Sequence, residues 1–100
     1  MAIWTKLTTT TSKPSGVEFF LSDSDTRYED LCKSLEGFVS YNKTQPDANT
    51  RIQEIVWATN AAWVNYLDVA NTNQMMLDNK AYNQANGITY SAVVTDVPST

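Results

Sequence analysis

Along this chain the apolar positions alternate between a spacing of two and a spacing of three to four, and each switch marks an element. The longest helical spacing lies in Thr59–Gly87, where Trp63, Val64, Leu67 and Ala70 form one stripe. The stripe resumes at Met76 or Leu77 and continues through Ala81 and Ala85. Thr59 or Asn60 is placed to cap the start, and Asn86-Gly87 to close the end. Between the two stripes, Asn71-Thr72-Asn73 offers side chains that compete for backbone hydrogen bonds, which predicts one bent helix or two. A shorter helix begins at Thr26-Arg27-Tyr28-Glu29, which has capping-box spacing. There Tyr28, Leu31, Cys32 and Leu35 recur at helical intervals, and Gly37 is a natural left-handed stop.

The spacing of two appears four times. Val17, Phe19 and Leu21 alternate with Glu18 and Phe20, which predicts a first strand over Val17–Leu21. A second strand is expected over Phe38–Lys43, a third over Thr50–Ala58 and a fourth over Ile88–Val97, with the turn formers of Thr44–Asn49 joining the second to the third. Ahead of them, Met1–Gly16 reads as an extended arm. Ile3, Trp4 and Leu7 give way to a threonine run, ended by Lys13-Pro14-Ser15-Gly16 as a turn. Such an arm is an edge strand or a tail lying on a neighbour. The resulting order is β, α, β, β, α, β. It predicts an α+β, ferredoxin-like fold with a four-stranded antiparallel sheet and helices on one face. The organisation expected is an N-terminal arm over 1–16, the α+β domain over 17–97 and a short tail over 98–100.

Strand three carries large apolar residues on both faces, with Ile52 and Val56 on one and Ile55 and Trp57 on the other. A sheet covered on one side only should not look like this. A partner, or the arm, is therefore expected on the second face, with Trp4, Leu7, Ile55 and Trp57 as interface candidates.

Composition narrows the function classes. One hundred residues with 42% hydrophobic and 18% charged content make one ordered domain. A net charge of −4 with scattered basic residues argues against nucleic acid and anionic membranes as partners. No run reaches membrane-spanning length and Met1–Lys13 has no apolar signal core, so a soluble protein made inside a cell is expected. The single cysteine, Cys32, sits among apolar helical neighbours and reads as a buried thiol.

Candidate chemistry is sparse. Phe38-Val39-Ser40-Tyr41 matches the end of an RNA-recognition signature, but it lies on the wrong strand and lacks the basic residues before it. Asp23-Ser24-Asp25 begins like a calcium loop and then fails, with Arg27 at the third ligand position. The chain has no histidine, which removes the usual hydrolytic triad and leaves too few soft ligands for zinc or iron. No catalytic residue, metal or cofactor is assigned. Glu54, flanked on its face by Ile52 and Val56, would have a raised pKa if that face were buried. Trp57, Trp63, Tyr66 and Tyr82 gather where strand three meets the long helix, either as ordinary core packing or as a pocket for a flat ligand. Glu54, Asn60, Trp63 and Tyr82 are the pocket candidates.

Two resemblances follow. Trp4-Thr5-Lys6 ahead of an apolar-aromatic strand like Val17–Leu21, a strand like Val39-Ser40-Tyr41 after the first helix, and the run Ala81-Tyr82-Asn83-Gln84-Ala85-Asn86-Gly87-Ile88 resemble small proteins of tailed bacteriophages. The fold is also similar to the dimeric α+β barrel superfamily, which includes antibiotic-biosynthesis monooxygenases and haem-degrading oxygenases. The first resemblance implies a non-enzymatic virion structural or accessory protein that self-associates through its sheet face, located in the virion or host cytoplasm. The second implies a cofactor-independent, monooxygenase-like dimer acting on a small aromatic molecule. Haem ligation by histidine is excluded, since the chain has none, and Asn60 and Trp63 match only the residue types of the remaining roles. A regulator that binds a host protein is a third expectation compatible with the same fold.

Overall fold

A computed structural model of the chain describes residues 3–98; Met1 and Ala2 of the expected arm and residues 99–100 of the expected tail lie outside the described residues. In chain order the elements are β1 (Ile3–Ser12), α1 (Arg27–Ser34), β2 (Phe38–Asp47), β3 (Thr50–Trp57), α2 (Asn60–Thr72), α3 (Gln74–Ala85) and β4 (Thr89–Pro98). The four strands form one antiparallel sheet in the order β2-β3-β1-β4. With the helices on one face, this is the ferredoxin-like βαββαβ arrangement, its second helix divided in two.

The first strand is not where its alternation placed it. Val17–Leu21 forms no strand, and the expected arm is instead β1, an inner strand. It pairs with β3 from Thr5↔Trp57 to Ser12↔Thr50, and with β4 from Ile3↔Pro98 to Ser12↔Thr89. An inner strand must match both neighbours along their length. Ten extended residues reach about 33 Å and five reach only about 17 Å, so the longer β-branched run takes the position. Pro98, expected in the tail, closes the β1–β4 register.

Local signals at the helix ends are mostly realised. The Thr59 side chain accepts a hydrogen bond from the Ala62 amide at 3.1 Å. The chain breaks at Asn73, whose side chain accepts from the Met76 amide at 3.2 Å and starts α3. The capping box at α1 does not form. Thr26 Oγ1 donates to Asp30 instead, and Glu29 pairs with Lys33 one turn on. Gly37 turns the chain from α1 into β2 at φ +83°, and a Cβ there would overlap the Ala62 methyl of α2.

The core lies between the helices and the inner sheet face, and holds Leu7, Cys32, Ile55, Trp57, Ala62, Tyr66 and Met76. Of the interface candidates, Leu7, Ile55 and Trp57 are placed in this core: they face α1 and α2 and are 6%, 1% and 0% exposed. The Trp57 indole Nε1 is buried there without an acceptor. Among the interface candidates Trp4 alone belongs to the opposite sheet face, with Lys6, Ile52, Glu54, Val56, Val93 and Val97. Because the supposed arm is part of the sheet, it does not cover that face. No helix among the described residues is long and apolar enough to cross a membrane.

Candidate functional site

α3 packs on α2 and stands off the sheet, and the space beneath is a cavity of about 470 Å³. Its floor is the inner face of three strands: Leu7, Thr9 and Thr11 of β1, Arg51 and Gln53 of β3, and Tyr90, Ala92 and Val94 of β4. The registers Thr9↔Gln53 and Thr11↔Arg51 on one side, with Thr9↔Ala92 and Thr11↔Tyr90 on the other, place these side chains in parallel rows. The roof is Trp63, Tyr66, Leu67, Ala70 and Asn71 of α2 with Met76, Asn79, Lys80 and Asn83 of α3. Phe19, Phe20 and Leu21, from the irregular segment first read as a strand, close one end beside Tyr28. On one face of α2, helical spacing sets Trp63 and Tyr66 together, with ring centroids 5.9 Å apart and planes 22° from parallel.

Two tyrosines supply the hydroxyls of the wall. Tyr28 and Tyr66 share a hydrogen bond of 2.5 Å, and Tyr66 also packs on Trp57 at 5.1 Å. Burial is the main cause that pushes the Tyr66 phenol up to about 12 and the Tyr28 phenol well above its ordinary value. Both are neutral at physiological pH. Only one of their two protons lies in the shared bond, which leaves one hydroxyl proton for another acceptor. Cys32 lies behind them, fully buried, with its thiol pushed up to about 12, chiefly by burial. It is a packed side chain rather than a nucleophile.

The charge in the cavity is of one sign. Arg51 and Lys80 line it, and no aspartate or glutamate does. Arg51 is 7% exposed. Its Nη1 donates to the Leu21 carbonyl at 3.0 Å and its Nη2 to Asp23 at 2.9 Å, while the guanidinium lies 4.1 Å over the Phe19 ring. Its Nε is buried without an acceptor. Sequence reasoning passed over this residue although a signal was present: Arg51 alternates in phase with Gln53, Ile55 and Trp57, so a charged group shares the phase of the buried set. Lys80 gave no such signal.

The four pocket candidates separate. Trp63 lines the cavity. Glu54 does not: it lies on the outer sheet face, paired with Lys6 at 2.5 Å and accepting from Asn42 at 3.5 Å. Its pKa is lowered, foremost by the Lys6 hydrogen bond, and not raised by burial. Asn60 is exposed at the start of α2 and is not part of the lining. Tyr82 is outside the lining as well, but it braces the end wall by donating to the Glu18 carbonyl at 2.7 Å and packing on Phe20 at 5.5 Å. Among the described residues no three of His, Cys, Asp and Glu converge as a metal site.

No protein-family model matches the chain, and no curated protein matches it in sequence. Solved structures do match in fold. SnoaB, a cofactor-independent oxygenase from Streptomyces nogalater, superposes with a TM-score of 0.68 at 17% identity, over 100% of this chain and 97% of that one. A Bacillus cereus protein described as an antibiotic biosynthesis monooxygenase superposes with a TM-score of 0.54, also at 17% identity and over the same shares of the two chains. The fold is thus that of antibiotic-biosynthesis-monooxygenase-like proteins. The expectation of a bacteriophage virion component is overturned, because the structural neighbours are oxygenases and nothing among them points to a phage origin.

Proposed function

We propose that this protein is a cofactor-independent oxygenase that acts on a small, flat aromatic molecule held between the helices and the sheet. The observation that carries the reading is the cavity itself: about 470 Å³, walled by Trp63, Tyr66, Phe19 and Phe20, with a few polar groups converging on it. The oxygenase neighbours support the same reading. In the chemistry proposed, an electron-rich substrate supplies all the electrons: dioxygen gives one atom to the substrate carbon, the other leaves as water, and a methylene becomes a carbonyl. No side chain changes oxidation state. The protein's part is to hold the ring against Trp63 and Tyr66, to keep water away, and to donate the spare tyrosine proton to oxygen where negative charge develops. The same reading pairs two chains through the outer sheet face around Trp4, Val56, Val93 and Val97.

The test is oxygen uptake with a panel of hydroxylated naphthalenes and anthrones, followed by mass analysis under isotopically labelled dioxygen. The expected result is protein-dependent uptake and one labelled atom per product. Uptake no faster than in protein-free buffer across the panel, or product oxygen drawn from water, overturns the reading.

A further inference from the structure

We propose that α3 is a lid over the cavity. It lifts as a unit between joints at Asn73 and Gly87 while the sheet, α1 and α2 stay folded, and the Tyr82 hydroxyl on the Glu18 carbonyl is its latch. The inference adds a moving part to the molecule and stands apart from the chemistry proposed for the cavity.

The argument begins with how little holds α3 down. Of its 12 residues only Met76 is buried. The apolar stripe that the sequence offers does not seat the helix: Leu77 is 39% exposed, and Ala81 and Ala85 are exposed as well. The face turned to the cavity carries Asn79, Lys80 and Asn83 instead. On the β4 side of the floor, Tyr90, Ala92 and Val94 are all exposed. Amides and an ammonium lose hydration in dry contact with such a surface, so no burial draws α3 onto the sheet. Among the described residues α3 makes no ion pair. Tyr82 to Glu18, at 2.7 Å, is its one side-chain hydrogen bond to the chain beyond its own two caps. A segment with so few buried contacts opens before the rest of a fold.

Both ends have joints. Asn73 is extended, at φ −69° and ψ 130°, and caps two helices at once. Its amide donates to the Val69 carbonyl at 2.7 Å, and its side chain accepts from the Met76 amide. Each helix is therefore closed at this residue. At the other end Gly87 has φ +70°, and Ile88 behind it is 6% exposed and anchors the start of β4. Rotations at these two positions absorb the movement without melting either neighbour. The latch lies between them. Tyr82 packs on Phe20, which closes one end of the cavity, so the latch ties roof to end wall. Lifting α3 uncovers the floor beneath it.

The experiment follows oxidation of Met76 by tert-butyl hydroperoxide, read by peptide mass spectrometry over urea concentrations below the unfolding transition. The thioether takes one oxygen atom from the hydroperoxide, and tert-butanol leaves. Met76 is 9% exposed, so it reacts when α3 lifts. Cys32, at 0%, is labelled in parallel with a disulfide reagent and reports opening of the whole chain. The expected Met76 rate is slower than that of a methionine in a peptide and hardly changes with urea, while Cys32 labelling climbs steeply. A lifted helix exposes little new surface and an unfolded chain exposes most of it. Tyr82→Phe keeps the ring on Phe20, removes the latch and raises the Met76 rate about fivefold. Gln74→Pro stiffens the joint and lowers the rate about threefold. It occupies the first position of α3, where proline is accepted, and Asn73 already has the extended backbone that a following proline demands. A Met76 rate with the urea slope of Cys32 means that α3 moves only with the whole chain, and overturns the lid. Oxidation at the peptide rate, or a rate that neither variant changes, overturns it as well. If Gln74→Pro does not fold, the urea slopes and Tyr82→Phe decide.

Discussion

The Tyr28–Tyr66 bond can be separated from the packing around it by a double-mutant cycle. Tyr66→Phe removes one hydroxyl and leaves that of Tyr28 without its partner in a largely desolvated wall. The ring stays, so the contacts to Trp57 at 5.1 Å and Trp63 at 5.9 Å stay with it. The expected cost is about 1–3 kcal/mol, dominated by the stranded hydroxyl rather than by the net worth of the bond. Tyr28→Phe strands the Tyr66 hydroxyl by the same logic and costs a similar amount. The double variant strands neither, and its cost should be only about 1 kcal/mol. The single effects therefore sum to more than the double, with a coupling of about 1–5 kcal/mol. Urea unfolding followed by tryptophan fluorescence is suited to the measurement, since Trp57 and Trp63 border the pair. Single effects that add to within about 0.3 kcal/mol would refute the shared bond as a coupled, buried contact.

The same tyrosines govern alkaline stability. Their folded pKa values are raised above the unfolded 10.0, so the folded state holds its protons longer. The contribution of these two tyrosines is complete below pH 10 and is lost as pH rises from there through about 12, with a slope of up to about 1.4 kcal/mol per pH unit for each group; a flat denaturation midpoint across that window contradicts the burial. Cys32, with its thiol at about 12, should react with a disulfide reagent only as fast as the chain opens, and labelling at the rate of a free thiol would show it accessible. Gly37→Ala should cost about 2–4 kcal/mol, from the positive φ and the overlap with Ala62, whereas Gly16→Ala, at φ +85° with open space around it, should cost only about 1. Equal unfolding midpoints for those two variants would remove the close approach of α2 from the account. Trp4→Glu should shift a concentration-dependent mass in light scattering toward the monomer, and an unchanged mass would exclude Trp4 from a pairing face.

What was legible beforehand was mainly local. The Thr59 cap, the break at Asn73 and the left-handed turn at Gly37 depend on a few adjacent residues, and their side chains state them. The stripe through Cys32 was also readable, because a helix fixes its own facing. The placement of β1 depends on partners some fifty and ninety positions away. Alternation in Val17–Leu21 competed with a longer threonine run that has no alternation of polarity to mark it. Sheet parity failed for a related reason. The two alternating sets of β3 were clear, but pairing alone decides that Ile55 and Trp57 face the helices and Glu54 faces away. The site inherits that ambiguity, so Trp63 could be nominated from the helix and Arg51 could not.

The central position of β1 also constrains the order of folding events. Its partners on one side are residues 89–98, so the β1–β4 ladder joins the two most distant parts of the described chain. During synthesis β2, β3 and α1 can meet early, but the sheet cannot close until Pro98 has cleared the ribosome. Until then an unpaired edge of threonines, with Leu7 and Trp4 among them, stays open to other strands. Sequence-distant pairing of this kind slows folding, typically into the millisecond-to-second range for sheet-dominated domains. The step most sensitive to aggregation is therefore the wait of the first strand for the last.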